Sequence, residues 1–141
     1  MTPKRASAVL SLVIFCVVCV SAKMTQEQFR RAVELANSGR YEQAEQMLLD
    51  IVTHQPDDSN AHMLLAVVLL NQDKLEQAEK ALISVISIEP DFATAYYLLG
   101  KVYFAQATKQ SNAISAWEKF LVLENDTPRA KRVMKHLEKI R

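Results

Sequence analysis

From residue 25 onward, apolar side chains return every three or four positions in stretches separated by short polar segments. That spacing is the mark of amphipathic helices, and it predicts helices near 26–37, 42–54, 60–71, 76–88, 94–107 and 111–124. Ser38-Gly39-Arg40 and Gln72-Asp73-Lys74 form the first and third of the breaks. Start signals accompany the pattern: Thr25 with Gln28 forms a capping box, Ser59 caps the third helix, and Asp91 supports the start of the fifth. Thr127 and Pro128 make an N-cap and first-turn pair for a last helix, Arg129 to Lys139, with Val133, Leu137 and Ile140 on one stripe.

The beginning of the chain has another pattern. Lys4 and Arg5 precede an uncharged run from Ala6 to Ala22, built on Val9-Leu10 and Val13-Ile14-Phe15 and ending in Val20-Ser21-Ala22. A basic start, an apolar centre and a small-residue end read as a secretory signal peptide cleaved after Ala22, or as an N-terminal membrane anchor if it is retained. Either way residues 23–141 are expected across the membrane, periplasmic or anchored facing the exterior, with membrane association through residues 6–22. Cys16 and Cys19 lie in this run, so their spacing carries no redox meaning, and the exported part is free of cysteine. Its stability must then come from packing alone, as a helical domain of this size can provide.

The predicted helices repeat. Pro56 and Pro90 are 34 residues apart, each followed by aspartate, and the same shift lays Glu42-Gln43-Ala44-Glu45 on Glu76-Gln77-Ala78-Glu79. It also lays Ala32 on Ala66 and Gly100, Leu35 on Leu69 and Tyr103, and Ile51 on Val85. Ala113 follows Ala78 by 35, which places one extra residue in the turn between Ala107 and Asn112. Each period holds two antiparallel helices, and small residues at Ala32, Ala66 and Gly100, and at Ala44, Ala78 and Ala113, mark where paired helices cross closely.

The third period, Tyr96-Tyr97-Leu98-Leu99-Gly100-Lys101-Val102-Tyr103 with Ala113 and Trp117 further on, resembles the tetratricopeptide repeat pattern, with tyrosine in place of its tryptophan. The resemblance covers residues 25–124. It implies an all-α superhelical solenoid of three helix pairs, about 25–58, 59–92 and 93–127, closed by a capping helix at 128–140. Gln28 and Arg31 stand where later repeats are apolar, as suits a terminal repeat facing water.

The resemblance also implies function through shape, because the first helix of each pair lines a concave groove. The positions that would line it are Phe29, Val33 and Asn37, then Met63, Val67, Leu70 and Asn71, then Tyr97, Lys101 and Phe104, with Gln26, Asn60 and Thr94 at the helix starts. Members that grip a C-terminal carboxylate place basic and amide groups where this chain has Phe29, Val33, Met63 and Val67. A mainly apolar groove with amides at Asn37 and Asn71 suits an apolar helix or extended peptide. The run Met63 to Leu70 equally fits a helix buried on two sides, and both readings stay open.

Charge is divided along the chain: residues 23–127 hold nine basic and fifteen acidic side chains, residues 128–141 six basic and one acidic. The basic group of Arg129, Lys131, Arg132, Lys135 and Lys139 reads as the solvated face of the last helix, with an acidic partner or anionic lipid as the other reading. Near-neutral total charge argues against nucleic acid. His54, His62 and His136 form no metal-ligand pattern, and no phosphate loop or nucleophile motif occurs, so no catalytic residue, metal or cofactor is expected. The expected function is a non-enzymatic adaptor or scaffold that holds another protein's segment and supports an envelope complex. The alternative is a structural subunit that docks or self-associates through its convex face or basic C-terminal helix.

Overall fold

Turn geometry fixes the pairing of the helices. Gly39 has φ of 75° and Asp73 φ of 59°, both left-handed, and each follows the end of a helix. At the first turn Arg40 N donates to Leu35 O at 2.9 Å and Gly39 N to Ala36 O at 3.1 Å. At the second, Lys74 N donates to Leu69 O at 3.0 Å and Asp73 N to Leu70 O at 3.1 Å. These are paired Schellman bonds, which close a helix and reverse the chain.

The computed structural model describes residues 25–140. Within them α1 covers 25–37, α2 Tyr41–His54, α3 Ser59–Asn71, α4 Leu75–Ile88, α5 Ala93–Ala105, α6 Gln110–Leu123 and α7 Pro128–Ile140. The fold is an all-α solenoid of three helix pairs with a seventh helix at its end, and no strand occurs among the described residues. The expected leader or anchor, with Cys16 and Cys19, lies outside them. Among the described residues no helix is long and apolar enough to cross a membrane.

Three details differ from the sequence expectation. The cap of α3 is Asp58, whose Oδ1 accepts from Ala61 N at 3.0 Å. Ser59 is instead the first helical residue, buried, with its hydroxyl donating to Glu89 at the far end of the same repeat. Phe92 occupies the N-cap of α5, so Asp91 makes no cap there. The extra residue of the third repeat is absorbed by a 3-10 turn, Ala107–Lys109, and α5 therefore ends at Ala105 rather than 107. Thr127 caps α7 as the pattern predicts, accepting from Ala130 N at 3.1 Å.

The core is continuous through the pairs. Leu48, Ile51, Val68, Leu82 and Val85 are fully buried, each contributing about 1.5–3 kcal/mol through removal from water. The small residues Ala32, Ala44, Ala66, Ala78 and Ala113 have no exposed surface, as close helix crossing demands. A second cluster forms where α7 covers the last pair, with Trp117 and Phe120 against Ala130, Val133 and Leu137.

Polar ties also repeat. Lys74 Nζ lies 2.7 Å from Glu45 Oε2, and Lys109 Nζ 2.6 Å from Glu79 Oε2. Each tie links the second helix of one pair to the turn of the next. Burial works to raise the Glu45 carboxyl, but hydrogen bonds from Lys74 and Gln72, with the charge of Lys74, outweigh it and hold the group below its ordinary value. The Tyr103 hydroxyl is pushed up by burial and then by the Glu79 carboxylate beside it.

Candidate peptide-binding groove

The first helix of each pair buries one stripe and shows another. In α3 the residues Leu65, Ala66, Val68 and Leu69 face the core, while Met63 and Leu70 are half-buried and Val67 is 36% exposed. Within the eight-residue apolar run Val67 alone is exposed, while Met63, Leu64 and Leu70 pack in part against the core. In α1, Phe29 and Val33 are half-buried and Asn37 is exposed; in α5, Tyr97 is half-buried, Lys101 is exposed and Phe104 is 41% exposed. Positions 33, 67 and 101, one repeat apart, thus sit on corresponding faces of α1, α3 and α5.

The amides differ from expectation in one respect. Asn71 Nδ2 donates to Val67 O of its own helix at 2.8 Å, so that donor is held by the backbone. At the α1 end a shelf of about 460 Å³ is lined by Gln26, Phe29 and Val33 together with Glu27 and Arg30. Arg30 lies between Glu27 and Glu34. The hydrogen bond from Arg30, and then its charge, hold the Glu27 carboxyl below its ordinary value, and Arg30 is raised in return.

At the α5 end a cavity of about 200 Å³ opens between α5, α6 and α7. Tyr97, Lys101 and Phe104 line it as groove residues, joined by Trp117, Arg132, Val133 and His136. The Trp117 and His136 rings stack at 5.7 Å with an interplanar angle of 23°, and Phe104 is tilted against both, 5.5 Å from Trp117 and 5.8 Å from His136. Tyr97 packs on Phe120 at 5.4 Å.

In the sequence Trp117 figures only in the repeat pattern, His136 has no role, and the basic residues of α7 read as one solvated face. All five basic residues are exposed, but Arg132 lines the cavity and Arg129 lies over the Tyr97 ring, whereas Lys131 lies 3.7 Å from Asp126. The available signal was the spacing of 129, 132 and 136, which puts three residues on one helix face. The other histidines use a ring nitrogen on backbone carbonyls, His54 on Asp50 and His62 on Pro56, each at 2.9 Å. Among the described residues no group of three or more His, Cys, Asp or Glu is placed to hold a metal ion.

Residues 29–86 match the family model described as tetratricopeptide repeat, and residues 69–106 match the one described as TPR repeat, so that together they run from α1 to the end of α5. The chain belongs to the tetratricopeptide repeat family. Among solved structures, this tetratricopeptide repeat protein is similar to the first such domain of Spaghetti (RPAP3) bound to the HSP90 peptide SRMEEVD. Identity is 19%, the TM-score is 0.74, and 82% of this chain and 89% of that one are covered. The Yersinia enterocolitica type III secretion chaperone SycD, in complex with a peptide of the translocator YopD, is 17% identical with a TM-score of 0.75, covering 82% and 90%. MamA is 23% identical with a TM-score of 0.74, covering 83% and 68%. At these identities the likeness is one of fold. Among curated proteins no significant match exists.

Proposed function

We propose that this tetratricopeptide repeat protein is a non-enzymatic adaptor that holds an apolar helical or extended segment of another protein in the groove of α1, α3 and α5. The observation that carries the reading is the exposure of Val67 at the centre of an apolar stripe continued by Met63 and Leu70 and flanked by Phe29, Val33, Tyr97 and Phe104. Leaving such a stripe in water is unfavourable, and a partner that covers it gains the burial. Two of the similar structures contain bound peptides, of HSP90 and of YopD. The basic and apolar start of the chain supports an exported protein, and hence a role in assembling an envelope complex.

The test is affinity capture of the full chain from cross-linked cell envelopes, with Val67→Glu beside Ile83→Glu. Ile83 is 48% exposed on α4, a second helix of its pair, so both variants place a charge at an accessible site. A partner lost with Val67→Glu and kept with Ile83→Glu is the expected result. The reverse would move the contact to the convex face and favour a docked structural subunit.

A further inference from the structure

The two ends of the groove treat positive charge differently. At the α1 end Arg30 is neutralised by Glu27 and Glu34. At the α5 end Lys101, Arg129 and Arg132 gather around the aromatic cavity, and among the described residues none of the three pairs with a carboxylate. Lys101 Nζ and Arg129 Cζ each lie 5.9 Å from the centroid of the same Tyr97 ring. Arg129 also donates to Thr94 Oγ1 at 3.3 Å, while Arg132 lines the cavity with Lys101. Like charges brought to one place repel, and an anion seated among them removes that repulsion and gains charge-assisted hydrogen bonds.

We infer that the corner between α5 and α7 anchors an acidic side chain of the bound segment, with an apolar neighbour of that residue set against Phe104 and Trp117. This rests on the groove reading above and names the chemistry of its ligand. At about 200 Å³ the cavity is smaller than the roughly 300–1,000 Å³ of small-molecule sites, and it suits one anchoring side chain. The strongly apolar stripe supplies affinity, and the three cations set register and direction along the groove.

The experiment selects a displayed random 12-residue peptide library, fused through its C-terminus so that it offers no free carboxylate, on the full chain, on Arg129→Gln/Arg132→Gln and on Val67→Glu. Both cationic side chains are exposed, so their replacement leaves the packing in place. The wild-type chain is expected to enrich apolar sequences with Asp or Glu at one register. The paired variant is expected to keep the apolar enrichment and lose the acidic one. A synthetic selected peptide should bind roughly tenfold more weakly after its Glu→Gln change at low salt, a gap that narrows as salt screens the charges. Trp117, the only tryptophan of the chain, reports the binding by fluorescence. Apolar enrichment without acidic residues overturns the anchor and leaves the groove standing, whereas identical selections on wild type and Val67→Glu overturn both. Acidic enrichment that survives in the paired variant removes the anchor from this corner. Retention on phosphatidylglycerol vesicles that the paired variant loses, without acidic enrichment, makes the corner a lipid contact and overturns the inference.

Discussion

Gly100 has no side chain because Trp117 stands where one would go. A Cβ built on Gly100 would lie 2.2 Å from both Cδ1 and Nε1 of the indole, and Trp117 Nε1 donates to Tyr97 O at 3.3 Å. In the first two repeats the equivalent positions hold Ala32 with Leu48 and Ala66 with Leu82. The third repeat has exchanged a small-and-medium pair for a smaller-and-larger one, the missing methyl making way for the indole.

Gly100→Ala is therefore expected to destabilise the protein by about 1–3 kcal/mol, even though alanine is the better helix former. Adding Trp117→Leu recreates the pair of the second repeat and should recover part of the loss. Thermal melts of the two single variants and the double variant check this. A Gly100→Ala protein that melts at or above the wild-type temperature would contradict the packing described here.

The second prediction concerns the two left-handed turns. Asp73 adopts at φ of 59° what Gly39 adopts at 75° without side-chain cost. Asp73→Gly should stabilise by roughly 0.5–1 kcal/mol, since a β-carbon is disfavoured in that region, while Gly39→Ala should destabilise. Urea midpoints measured on both variants should move in opposite directions.

The third prediction is a pH dependence. A carboxyl whose folded value lies below its unfolded one adds stability that is complete above the unfolded value and disappears as pH falls through the folded value. Glu45 is held below its ordinary 4.5. The stability difference between wild type and Glu45→Gln should thus be full at neutral pH and shrink as pH drops below the ordinary glutamate range. A difference unchanged down to strong acid would show that Glu45 is not held by Lys74 and Gln72.

Lys109 gives the opposite window. The hydrogen bond to Glu79 raises it most, above its ordinary 10.5, against some desolvation. A raised lysine contributes stability that is present below the unfolded value and lost as pH rises through the folded one. Lys109→Met should accordingly differ from wild type at neutral pH and converge with it in strong alkali, as followed by urea unfolding at each pH.

Much of the fold was legible because repetition multiplies weak signals. One apolar stripe is ambiguous, but Ala44 recurring at Ala78 and Ala113, with Pro56 recurring at Pro90, ties the helices to a single period. Caps were less legible: Asp58 and Ser59 are adjacent, both can cap, and only the backbone decides which stands outside the helix. The 3-10 turn is invisible to periodicity, which registers the extra residue near Ala107 but not the local conformation that takes it up. The corner cavity was hidden for a different reason. It joins Tyr97 and Lys101 of α5 to Arg132 and His136 of α7, more than a full repeat length away in most pairings, and no repeat of the pattern exists for α7 to copy.

The ties from Glu45 to Lys74 and from Glu79 to Lys109 have the same form on both sides of the second repeat. The boundary of that repeat offers, on its leading side, the partner that its trailing side requires. Residues 59–92 therefore behave as a link in a chain whose ends match, and a tandem copy of the 34-residue unit would find a bonded seat at each junction. The length of the groove is in this sense an adjustable dimension of the molecule, set by how many links are strung together before α7 closes the end.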